Sequence, residues 1–62
     1  MELPSSLSDQ ERRVAEMILL GKTRKEICKA LGIGDGTLKT YIARMNIKTE
    51  VDNQKQFLVK YL

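Results

Sequence analysis

Sixty-two residues make at most one domain, and a chain this short hides only about 60% of the surface its unfolded form exposes. One cysteine and no histidine exclude an intrachain disulfide and a structural zinc site, which needs about four Cys or His ligands, and leave no nucleophile–base pair for an enzyme. A composition 42% hydrophobic and 31% charged, with a net charge of +3, is that of a globular domain and not of a disordered segment.

The expectation is a single domain over 1–62 that needs no cofactor or metal, with 1–6 as a lead-in. The longest apolar run, Met17 to Leu20, is far short of the roughly 20 residues that span a bilayer. Met1-Glu2-Leu3-Pro4 has no basic stretch leading into an apolar one, so no secretory signal is read there. Together with the lone Cys28, which fits a reducing compartment, this sets a cytoplasmic expectation.

Ser8 and Glu11 form an S-x-x-E capping box, in which each side chain satisfies a backbone donor of the other residue. The box predicts a helix over about 9–20, with Leu7, Val14, Met17 and Ile18 turned inward and Gly21 just past its end. Thr23 and Glu26 form a second box, T-x-x-E, for a short helix over 24–31. Ile27 and Leu31 share one face of it, with Cys28 beside them, and Gly32 stops it. Ile33 then drops toward the core. Gly34 is an N-cap without a side chain, and Asp35 suits the positive end of the next helix dipole. That third helix runs over about 35–47, with Leu38, Ile42 and Met45 at buried spacing. Asp52 or Asn53 caps a fourth helix carrying Phe57, Leu58, Tyr61 and Leu62. No β-alternation persists anywhere, so the fold class is all-α, four short helices.

Two glycine patterns tempt a nucleotide reading and fail. Gly21-Lys22-Thr23 ends as a phosphate loop does, but the first glycine of that motif falls on Glu16 and no strand precedes it. Gly32, Gly34 and Gly36 lie at the wrong spacing for a dinucleotide fingerprint.

Charge is unevenly placed. Lys22 to Lys48 carries seven cations against two anions, while the rest of the chain carries four against six. The basic segment coincides with two helices joined by a tight turn around 32–35, the helix-turn-helix pattern whose second helix lies in the DNA major groove. Gly36, Thr40 and Ala43 are small and lie on one side of that helix, which lets it approach closely. Lys39 and Thr40 come early on the same outer face, where base edges are met. Thr37, Tyr41, Arg44 and Lys48 form an adjacent strip suited to a phosphate strand. Thr23, Arg24 and Lys25 cluster at a helix start, where backbone N–H groups and the dipole also favour an anion.

The ordered set Leu7-Ser8-x-x-Glu11-x-x-Val14, Gly21-x-Thr23-x-Lys25-Glu26-Ile27, Leu31-x-Ile33-x-x-x-Thr37-Leu38-Lys39-x-Tyr41-Ile42 and Lys48-x-x-Val51 closely resembles the LuxR-type domain, also called GerE- or FixJ-type, over almost the whole chain. The resemblance implies a four-helix, double-stranded DNA-binding output module of bacterial transcription regulators, including response regulators. By position, Lys39, Thr40 and Ala43 would face bases, and Thr23, Lys25, Thr37, Tyr41 and Lys48 would lie near the backbone. Glu11 would tether the first helix to its neighbours. The fourth helix would form a homodimer contact, for which Phe57, Leu58 and Tyr61 are the candidates; contact with RNA polymerase belongs to the promoter-reading alternative of sigma-factor region-four type. The chain departs from the family in having Gly34 for a usual Ser or Thr, Thr49 for a usual Leu and Phe57 for a small residue. Two other readings stand beside this one: a promoter-reading domain of sigma-factor region-four type, and a helical protein-interaction bundle without DNA binding.

Overall fold

Two reciprocal caps set the first half of the fold. The structure, a computed structural model, describes residues 3–62; the part of the expected lead-in formed by Met1 and Glu2 lies outside them. Ser8 Oγ accepts from the Glu11 N–H at 3.2 Å while the Ser8 N–H donates to Glu11 Oε1 at 2.8 Å, and α1 runs Asp9–Leu19. Thr23 and Glu26 repeat the arrangement at 3.2 and 2.9 Å at the start of α2, Arg24–Leu31. α3 spans Asp35–Lys48, one residue longer than expected, and its N-cap Gly34 supplies no side-chain bond. Asn53 caps α4, Gln54–Tyr61, by accepting from the Gln56 N–H at 2.9 Å. Among the described residues every regular element is a helix.

Three helices end in the same way. The N–H of a residue two or three past the helix bonds back to a carbonyl five residues earlier: Lys22 to Met17, Ile33 to Cys28 and Val51 to Asn46, each at 3.0 Å. This six-to-one closure requires a left-handed residue just before the donor. Gly21 at φ +81° and Gly32 at φ +66° fill that place without strain, whereas the third is filled by Glu50 at φ +60°. In the second and third closures the donor residues, Ile33 and Val51, pack their apolar side chains against the core, so each turn is fixed by a hydrogen bond and by burial together.

The core is formed by Leu7, Val14, Ala15, Ile18, Ile27, Leu38, Met45 and Phe57, with Met17, Leu31, Ile33, Tyr41, Ile42, Leu58 and Tyr61 packed at its edge. α1 lies chiefly on α3, α2 on α3, and α4 on α1. Thr49 is buried, and its hydroxyl donates to the Met45 carbonyl at 2.7 Å. A buried hydroxyl is tolerable only when so satisfied.

Phe57 corrects the sequence reading. It was expected on the partner-binding surface of the fourth helix, but it is fully buried, its ring 5.0 Å from that of Tyr61. α4 is apolar around much of its circumference, and its largest side chain is the one that enters the core. The large apolar residues left outside here are Val59 on α4 and Leu62 just past its end, 78% and 82% exposed. No helix among the described residues is long and apolar enough to cross a membrane.

Candidate nucleic-acid interface

Burial of Leu38 and Met45 determines which side of α3 faces outward. At about 100° per residue, the opposite side carries Gly36, Thr40, Ala43 and Ile47, with Lys39 at its edge, all of them exposed. Nothing lies within 4 Å of the place a Cβ would occupy on Gly36, so the helix backbone there is open to close approach. The sequence thus brings Gly36, Lys39, Thr40 and Ala43 onto one open face. Ile47 belongs to the same face and sequence reasoning missed it. Its signal was available: the buried stripe of α3 continues from Met45 to Thr49, four residues on, and that register turns Ile47 out.

Cations flank this face on both sides. Thr37 and Arg44 are exposed and Tyr41 is half-buried against the core; these three form one flank. Across the helix, roughly 120–180° around from them, stands Asp35. Its carboxylate accepts from Nε and Nη2 of Arg24 at 3.3 and 3.1 Å. That contact joins the start of α2 to the start of α3 and brings the Thr23, Arg24, Lys25 cluster to the second flank. The pair is solvent-exposed on both partners, 47% and 67%, so it contributes at most about 1 kcal/mol and a phosphate can compete for the guanidinium. Thr23 Oγ1 is the acceptor of its capping bond, which leaves the hydroxyl hydrogen available to an anion. The Thr23 N–H, and after it the Thr23 side chain, hold the exposed Glu26 carboxyl below its usual value, so a negative charge also stands at this helix start.

Lys48 is placed otherwise than expected. Its Nζ donates to Glu11 Oε1 at 2.7 Å. The Glu11 side chain is only 2% exposed and that of Lys48 35%. The Lys48 bond, and after it the Ser8 N–H, hold the Glu11 carboxyl below its usual value against the opposing effect of burial. A carboxylate this deep needs a cation, and Lys48 is drawn inward to serve it. Its ammonium is therefore committed to tying α1 to the end of α3, not free for a phosphate strand. The tethering role that the resemblance implied for Glu11 is the one its geometry has.

Comparisons with known proteins place the chain in a family. The family described as bacterial regulatory proteins, luxR family, matches residues 5–61. The chain is 37% identical over 54 residues to the transcriptional regulatory protein DesR of Bacillus subtilis, covering 87% of this chain and 27% of that one. It is 40% identical over 58 residues to the uncharacterized transcriptional regulatory protein YhcZ of the same organism, covering 89% and 27%. It is 33% identical over 57 residues to the monoamine regulon transcriptional regulator of Klebsiella aerogenes, covering 92% and 25%. The chain thus spans about a quarter of the length of these curated relatives. No solved structure matches it. With a family match over nearly its whole length and a helix-turn-helix at its centre, the chain belongs to the luxR family of bacterial regulatory proteins.

Proposed function

We propose that the chain binds double-stranded DNA in transcription regulation, with α3 in the major groove. The observation that carries this reading is the single open face of α3, slim at Gly36 and Ala43, with cations on both flanks. The groove is about 12 Å wide and admits one helix; the two flanks then meet the two phosphate strands. Lys39 and Thr40 are the base readers, Gly36 and Ala43 permit the approach, and Thr23, Arg24, Lys25, Thr37, Tyr41 and Arg44 serve the phosphates. Phosphate contacts set the register and base contacts select the sequence.

A second copy joins through the outer side of α4. Val59 and Leu62 are the exposed apolar residues there, and Leu58 and Tyr61 are half-buried at its edge. A symmetric pair would require a site with two-fold symmetry.

Selection of bound sequences from a random duplex pool, followed by titration at several salt concentrations, tests the reading. The expected result is one recovered motif and an affinity that falls steeply with salt, each neutralised phosphate adding about −0.9 to the log–log slope. Arg44→Ala weakens every duplex alike and makes that slope shallower by about one. Recovery of no motif, with no binding to any duplex at low salt, would favour the protein-interaction reading instead.

A further inference from the structure

The open side of α3 is nearly apolar along its centre line. Gly36, Thr40, Ala43 and Ile47 follow one another at spacings of four, three and four, so they stack along one line of the helix. Gly36 adds no side chain. Thr40 donates its hydroxyl to the Gly36 carbonyl at 3.2 Å, which spends that hydrogen inside the helix. Ala43 offers a methyl. Ile47 is 76% exposed and packs on nothing in the core. A lone exposed apolar residue is ordinary on a protein surface. Ile47 differs in that it extends the very line that the flanking cations bracket.

The apolar group that base edges present in the major groove is the C5-methyl of thymine. We infer that Ile47 is a specificity-determining residue that, with Ala43, selects thymine by packing on that methyl. The inference rests on the reading that this face enters the groove. Lys39, eight residues earlier, is suited to guanine O6 and N7. Eight residues of helix advance about 12 Å, roughly three to four base steps. The recognised half-site therefore pairs a guanine with a thymine at about that separation.

The test uses deoxyuridine, which differs from thymidine only by the missing methyl. Each thymine of the selected duplex is replaced in turn, and Kd is measured by anisotropy for the wild-type chain and for Ile47→Ala. The substitution is at an exposed helical position, and thermal melting confirms that the variant folds. In the wild type, uracil at one thymine of each half-site raises Kd about fourfold, the value of one buried methyl. In Ile47→Ala that penalty disappears. Two results overturn the inference while leaving DNA reading intact: no uracil costs affinity in the wild type, or Ile47→Ala weakens thymine and uracil duplexes by the same factor. Either would place Ile47 against sugar, phosphate or a second copy. Failure of the wild type to bind any selected duplex would overturn the groove reading and this inference with it.

Discussion

The two ends of α3 are held in opposite ways. At its C-terminal end Lys48 reaches the buried Glu11 carboxylate, Thr49 is buried with its hydroxyl satisfied, and a six-to-one closure fixes the exit through Val51. At its N-terminal end the cap is a bare glycine, and the one ion pair, to Arg24, lies in solvent. α2, separated from α3 by three residues, starts with a full capping box. The chain therefore anchors α3 through side chains turned toward the core at its C-terminal end and leaves its first turns slim and lightly tied, where the proposed reading brings a duplex close. On that reading, rigidity at one end aims the helix and openness at the other admits the ligand. This division predicts that substitutions of the anchoring side chains act on stability and that those on the open face, from Gly36 to Ile47, act on binding.

The largest effect is expected at the anchor. Lys48→Met keeps the apolar stem but leaves the Glu11 carboxylate buried without its cation, at a cost of about 2–3 kcal/mol. For a domain of this size, with roughly 3–5 kcal/mol in total, thermal melting falls sharply. The pH dependence changes as well. The folded chain holds Glu11 below the ordinary value of 4.5, so its contribution is present above that value and is lost as pH falls through the lowered one. Urea midpoints measured from about pH 6 to about pH 3 show this acid loss in the wild type and a shallower one in Lys48→Met. A variant that melts like the wild type would break the contrast between the two ends. At the open end, Lys39→Ala leaves stability within about 0.5 kcal/mol and reduces discrimination between the selected site and a variant of it about tenfold. Equal weakening of all sequences would show that Lys39 meets phosphate instead.

Two smaller effects sharpen the comparison. Glu50 occupies a left-handed position that glycine fills in the closures after α1 and α2. Glu50→Gly removes that strain and, after the added freedom of the unfolded chain, stabilises by about 0.5–1 kcal/mol in a denaturant titration. Gly34→Ser supplies the missing cap. A Cβ there meets nothing within 4 Å, and the gain is a few tenths of a kcal/mol. A loss of stability in either variant would show that the backbone at that helix end is held for another reason.

Much of the fold was legible because its signals are local. Two capping boxes, two glycine stops and the Leu38–Met45 spacing place three helices within a residue or two of their ends. The exposed face with Lys39, Thr40 and Ala43 follows from that spacing. What was not legible is tertiary. Glu11 and Lys48 are 37 residues apart, and nothing in the periodicity of either helix says that Lys48 turns inward; only the resemblance pointed to a tether at Glu11. α4 carries Phe57, Leu58, Val59, Tyr61 and Leu62 in one short stretch, so its pattern does not single out one buried side. Docking on α1 decides that Phe57 goes in and Val59 and Leu62 stay out.

The most direct test follows backbone amides by NMR while a selected duplex is added. The account predicts that the largest shifts fall on Gly36 to Arg44 and at Thr23 to Lys25, and that Glu11 and Thr49 scarcely move. Shifts concentrated on α4 or on the outer side of α1, with α3 unchanged, would contradict it.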